Sequence, residues 1–159
     1  MGDNPKIVWL KRYLNLQRQV DNREETLARY ENAQYLPAMP DSDGSKHTPG
    51  RSDRMANATV RYMEQKKKLM PKILDCKAKM QAIEDAIYAI EDPLEQEVLI
   101  LRYLEGEDGY KHMRWKIVAM AMYSSDDEAD ITRVHRLHGA ALLSLKMEDD
   151  PNEKNDLRM

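Results

Sequence analysis

A chain of 159 residues with 42% hydrophobic and 33% charged side chains has room for one core with an extension, which excludes a barrel or a doubly wound enzyme fold. The formal net charge of −3 means that any nucleic-acid contact needs a local basic face. Phe is absent and the lone Cys76 allows no internal disulfide or multi-thiolate metal site, so an all-α protein of a reducing compartment is expected.

No apolar run approaches the roughly 20 residues of a membrane span. Met1 to Lys6 lacks the apolar stretch of a signal peptide, and Lys6 stands where an acylation pattern needs Ser or Thr. A cytoplasmic protein without membrane attachment is expected.

From Pro5 to about Gln34 the chain has no internal Gly or Pro, and Trp9, Tyr13, Leu16, Val20, Leu27 and Tyr30 recur along one face, predicting a long amphipathic helix. Pro37, Pro40, Gly44, Pro49 and Gly50 then predict a loop over 37–52. Beyond it, Met55, Tyr62, Leu69, Cys76, Ile83 and Ile90 are spaced by seven, with Thr59, Lys66, Ile73, Met80 and Ile87 interleaved. This seam predicts one helix, about 54–91, kinked at Pro71. The two helices should form a coiled-coil-like hairpin over 1–91, with the Met55 to Ile90 seam as the candidate homodimer interface.

Asp92 as N-cap, Pro93 at the first helical position and Glu95 at the third open the next helix, with Leu94, Val98 and Leu101 inward and Gly106 as its stop. Asp108-Gly109 is expected to initiate a helix over 110–123 that buries Met113, Ile117, Val118 and Ala121. After an acidic connector, Asp130 is expected to cap a last helix, 131–147, with Val134, Leu137, Ala141 and Leu145 as its stripe. Residues 148–159 carry five acids against Lys154 and Arg158 and read as a mobile acidic tail.

Three short helices over 92–147 are the raw material of a helix-turn-helix unit. Between Ile131 and Met147 every ionisable group is basic or His: Arg133, His135, Arg136, His138 and Lys146. Arg133 and Arg136 lie three apart, opposite Val134 and Leu137, with Thr132 and His135 beside them. Arg can donate twice to a guanine edge and Thr or His once, so Thr132, Arg133, His135, Arg136 and Lys146 are the candidate DNA contacts. Lys111, Arg114 and Lys116, and the run Lys66, Lys67 and Lys68, are candidate phosphate contacts, although a wet Lys-rich helix flank gives the same pattern. Residues 92–147 hold seven Lys or Arg against ten acids, a weak balance for a stand-alone DNA binder.

No phosphate-cradling glycine loop or Ser/His/Asp arrangement is present, and His135 with His138 lacks a third metal ligand in the sequence. No active site, cofactor or metal is expected.

The strings Leu99-Ile100-Leu101-Arg102-Tyr103-Leu104-Glu105-Gly106, Trp115 with Val118-Ala119, Met122-Tyr123-Ser124 and Arg136-Leu137-His138-Gly139 resemble the C-terminal part of phage transcription regulators of the RinA and ArpU kind. That part in turn resembles region 4 of bacterial sigma factors. The resemblance covers roughly a third of the chain, from 92 to about 146. It implies a non-catalytic DNA-binding activator of late or packaging genes in a prophage, with double-stranded DNA as partner; the helical hairpin is then expected to serve self-association or contact with host RNA polymerase. By the same resemblance Arg133, His135 and Arg136 lie on the recognition helix, and Trp115, Val118, Ala119 and Leu137 support it. The acidic connector with Asp126, Asp127, Glu128 and Asp130 departs from the family's tight turn. A DNA-packaging adaptor resembling small terminase subunits, and a helical protein-interaction adaptor that never touches DNA, are the alternatives.

Overall fold

The computed structural model describes residues 4–35 and 51–147. Among these the regular elements are all helical: α1 (Pro5–Ala33), α2 (Arg51–Tyr88), α3 (Pro93–Leu99) with a π-helical continuation (Ile100–Glu105), α4 (Trp115–Tyr123) and α5 (Glu128–Ser144). Most of the expected 37–52 loop and the whole 148–159 tail lie outside the described residues. Two compact units divide the chain, one spanning Gln19–Cys76 and the other built from the residues before and after that span.

Within the Gln19–Cys76 unit, Val20 and Ile73 are almost fully buried. The Arg23 guanidinium donates to Cys76 Sγ at 3.4 Å, the Cys76 thiol donates to Gln19 Oε1 at 3.7 Å, and the Thr59 hydroxyl donates to Gln34 Oε1 at 3.2 Å. Gln19 and Arg23 thus meet Cys76 while the later Gln34 meets the earlier Thr59, as for helices running in opposite directions. α2 continues through Pro71, which removes one backbone bond without ending the helix.

The heptad seam of α2 does not have one environment along its length. Ile73, Cys76, Met80, Ile83, Ile87 and Ile90 are buried, whereas Tyr62 and Leu69 are half-buried and Met55, Thr59 and Lys66 are exposed. The later half of the seam expected to form a dimer interface is therefore already covered within the chain. In the other unit, which holds the seam from Met80 onward, Leu10, Tyr13 and Leu14 of α1 are also buried, and the Tyr13 hydroxyl donates to the Glu84 carboxylate. Burial and that carboxylate both push the Tyr13 hydroxyl pKa up, so it stays a donor at neutral pH.

The start of α3 follows the sequence closely. The Asp92 carboxylate accepts from the Leu94 amide at 2.9 Å and the Glu95 amide at 3.2 Å, satisfying two of the otherwise unpaired donors, with Pro93 at the first position. Its buried stripe differs from expectation, because Leu94 is 46% exposed and Leu101 half-buried, while Val98, Leu99 and Tyr103 are buried. The π-helical turn supplies the reason for Tyr103 taking the place of Leu101, since its wider turn rotates everything after Leu99 relative to a 3.6-residue pattern; Leu94 lies before it, in the first turn of α3.

Asp108-Gly109 does not open a helix. Glu107 and Lys111 form an isolated antiparallel bridge, and Gly109 (φ 82) and Tyr110 (φ 61) turn the chain between them with two successive left-handed residues, which no right-handed helix admits. α4 consequently starts at Trp115, and its buried residues are Val118 and Ala119, with Ala121 exposed. α5 starts earlier than expected: Asp127 is the N-cap, Asp130 lies in the first turn, and the helix ends at Ser144. The acids of this connector sit where the helix macrodipole favours negative charge.

α5 contacts both α3 and α4, burying Val134, Ala141 and Leu142, with Leu145 buried just beyond its end. At that end the Lys6 ammonium donates to the Leu142 carbonyl at 2.6 Å, a cation on the negative pole of the helix. Gly139 lies inside α5 with nothing within 4 Å of where a Cβ would stand. Gly139→Ala is therefore expected to raise stability by about 0.5–1 kcal/mol and the melting temperature by a few degrees. A thermal melt that moves down would show that the glycine serves the fold in some other way.

Candidate nucleic-acid interface

α5 presents its outer face between Glu128 and Leu143. Thr132, Arg133, His135 and Arg136 are all exposed, whereas Val134 between them is fully buried, so the face is set by the 3.6-residue period against the packing of α5 on α3 and α4. α4 is followed by a turn through left-handed Ser124 and then by α5.

The side chains on this face are not equally free. Arg133 lies 3.5 Å from the Asp130 carboxylate and its guanidinium sits 5.0 Å from the centre of the Tyr123 ring. Such a partly exposed i,i+3 pair contributes on the order of 0–1 kcal/mol and can open for a phosphate or base. Arg136 makes no ion pair among the described residues. The Thr132 hydroxyl donates to the Glu128 carbonyl at 2.8 Å, a bond back to the preceding turn. The His135 ring packs 4.7 Å from Trp115.

Of the other candidates, Lys146 lies beyond the end of α5 and is exposed, so it is not a helical residue. Lys111 is exposed in the bridge, and Lys116, in the first turn of α4, is 3.5 Å from the Asp126 carboxylate. Arg114 precedes α4 and is gripped by Glu107, whose carboxylate accepts from its backbone amide at 2.9 Å and its guanidinium at 3.1 Å. Those bonds hold the Glu107 carboxyl below the usual carboxylate range. Lys66, Lys67 and Lys68 belong to the other unit, where consecutive residues diverge by about 100° around α2, so the three are spread over about 200° and do not all share one face.

Sequence reasoning missed a cluster behind α5. The Arg102 guanidinium stacks 4.4 Å from the Trp115 ring centre and donates to the Met113 carbonyl, while Met113 donates its amide to the Arg102 carbonyl at 3.2 Å. The Trp115 ring meets His138 at 4.7 Å, and a 2.7 Å hydrogen bond joins His138 Nε2 to the Tyr103 hydroxyl. The Tyr103 ring stands edge-on to His112 at 5.9 Å. Arg102, Tyr103, Trp115 and His138 come from the strings that carried the family resemblance, and here they tie α5 to the π-helical turn and the start of α4.

Burial, with the Arg102 charge and His135 adding to it, lowers the His138 pKa to about 4. His112 is lowered too, by burial first and Arg102 second, and burial raises Tyr103. His138 ordinarily titrates near 6.5, so between that value and about 4 the unfolded chain binds the additional proton. Stability is therefore complete above about pH 6.5 and falls as the pH drops toward 4. Allowing for partial solvent screening, the loss is expected to be about 1–2 kcal/mol. Denaturant midpoints at pH 7 and pH 5 test this: His138→Asn should flatten the dependence, and equal slopes in the two proteins would remove His138 as its source.

No helix among the described residues is long and apolar enough to cross a membrane, and no group of three or more His, Cys, Asp or Glu there could hold a metal. No family model, curated protein or solved structure matches this chain.

Proposed function

We propose that the protein is a sequence-specific DNA-binding regulator, of the phage kind that its C-terminal strings resemble, in which α4, the Ser124 turn and α5 act as the helix-turn-helix and α5 reads the major groove. The observation that carries this reading is the pair Arg133 and Arg136, both exposed on α5 while Val134 between them anchors the helix. Arg133 is held only by the half-buried Asp130 carboxylate and the Tyr123 ring and Arg136 by no ion pair among the described residues, and their forked guanidinium groups suit guanine edges. Arg102, Trp115, His138 and Tyr103 would fix the angle at which α5 is presented, as a reading element built on a rigid scaffold requires.

The acidic balance of this region argues for modest non-specific affinity, so discrimination must rest on few base contacts. Selection of bound duplexes from a random-sequence pool, at moderate salt, tests the proposal. A recovered consensus supports it; a pool that stays random even at low ionic strength rejects it in favour of a protein-interaction adaptor.

A further inference from the structure

α2 carries a second apolar stripe that the buried seam does not use. Val60, Met63, Met70 and Leu74 follow one another at three- and four-residue steps with Lys67 between them, on the flank of the helix beside the seam of Ile73 and Cys76, with half-buried Met70 at its edge. Val60, Met63 and Leu74 are 55%, 58% and 58% exposed, and Val60, Met63 and Met70 line one open, largely apolar groove with Lys66 and Lys67. Repetition at this spacing is the pattern of a coiled-coil seam. Three large apolar side chains so exposed in a row mark a contact surface, since isolated exposed hydrophobics do not repeat in phase.

The charges determine what can cover it. Lys67 occupies the middle of the stripe and makes no ion pair among the described residues. From Arg54 to Lys72 there are six Lys or Arg and one acid, Glu64. A second copy laid at full overlap on this stripe, parallel or antiparallel, would bring Lys67 against Lys67 within an already basic helix. Duplex DNA would meet Val60, Met63 and Leu74 with phosphates, leaving the apolar stripe unburied. We propose that the Val60–Leu74 face of α2 docks an acidic amphipathic helix of another protein, one whose apolar stripe covers Met63 and Met70 and whose carboxylate meets Lys67. A single Lys in a seam sets register and partner choice in this way. The 148–159 segment of the chain itself lacks the pattern: Pro151 interrupts it and its apolar residues are Leu157 and Met159 only.

The probe is a synthetic heptad peptide with Leu along its seam and Glu opposite Lys67 and on its flanks, beside a second peptide in which every Glu is Lys. Fluorescence anisotropy with the full chain should show the acidic peptide binding at least about tenfold tighter than the basic one. Lys67→Glu should reverse that preference, and Met63→Glu should abolish binding with helicity unchanged by circular dichroism. Equal binding of the two peptides, or a preference unmoved by Lys67→Glu, overturns the proposal. A dimer in sedimentation that Met63→Glu dissociates assigns the face to a second copy instead, and a Lys67→Glu loss of duplex affinity with peptide binding intact assigns Lys67 to phosphate. These readouts do not depend on the α5 reading, since Arg133→Ala should leave them unchanged.

Discussion

Replacing Arg133 and Arg136 together by Ala is expected to weaken binding to a selected duplex by on the order of a hundredfold or more. A good bidentate contact to guanine is worth about 1–3 kcal/mol of discrimination, and two such contacts on one helix reach that figure even with some coupling between neighbours. The fold should tolerate the change. Arg133 contributes only a partly exposed pair with Asp130 and a contact on the Tyr123 ring, and Arg136 makes no ion pair among the described residues. A circular dichroism melt within a few degrees of the parent would separate lost contacts from lost structure.

The manner of the loss also discriminates. If the two arginines read bases, affinity for the consensus falls toward that for random duplex, and the dependence on salt changes little. If they only touch phosphates, all sequences weaken alike and the salt slope drops by about 2. Asp130→Asn, which releases Arg133 from its carboxylate, should then strengthen binding modestly in either case. Unchanged affinity in the double variant would remove α5 as the reading element.

Much of this architecture was legible in the sequence because its signals are local. The Gly- and Pro-free run after Pro5 and the Asp92-Pro93-Glu95 start each depend on residues within a turn or two of one another, and α1 and α3 begin there. The misreadings share a different origin. Asp108-Gly109 suits a helix start and a tight turn equally well, and the bridge between Glu107 and Lys111 decided between them. The π-helical turn after Leu99 shifts phase without any residue that announces it. The α2 seam was uniform as a pattern, yet only its half from Ile73 onward is buried. The outward position of Arg133 and Arg136 followed from periodicity, but Arg133 lying against Asp130 and Tyr123 did not. Least visible was the contact between Tyr103 and His138, 35 residues apart, since nothing in either string specifies the other as its partner.

Gly106→Ala should be among the most damaging single-methyl changes this chain can suffer, costing about 3–5 kcal/mol. Gly106 holds φ 60 and ψ −159, a region open essentially to glycine alone, where a side chain costs about 1–3 kcal/mol from the backbone alone. The added methyl would also strike the Lys111 carbonyl oxygen and stand 2.7 Å from Leu14 Cδ1. Leu14 could rotate, but the Lys111 carbonyl cannot easily yield, because it accepts the Glu107 amide at 2.7 Å in the bridge. Displacing it disturbs Glu107, whose carboxylate grips Arg114 immediately before α4. Gly109→Ala is the matched comparison: its φ of 82 imposes backbone strain, yet the nearest atom is Lys111 Cε at 3.9 Å. Denaturant midpoints should therefore rank Gly106→Ala well below Gly109→Ala, with Leu14→Ala restoring little of the difference. Equal losses at the two glycines would mean that the bridge moves aside freely. In that event the entry to α4 would be a soft joint, and the angle of α5 would have to be held by Trp115, His138 and Tyr103 alone.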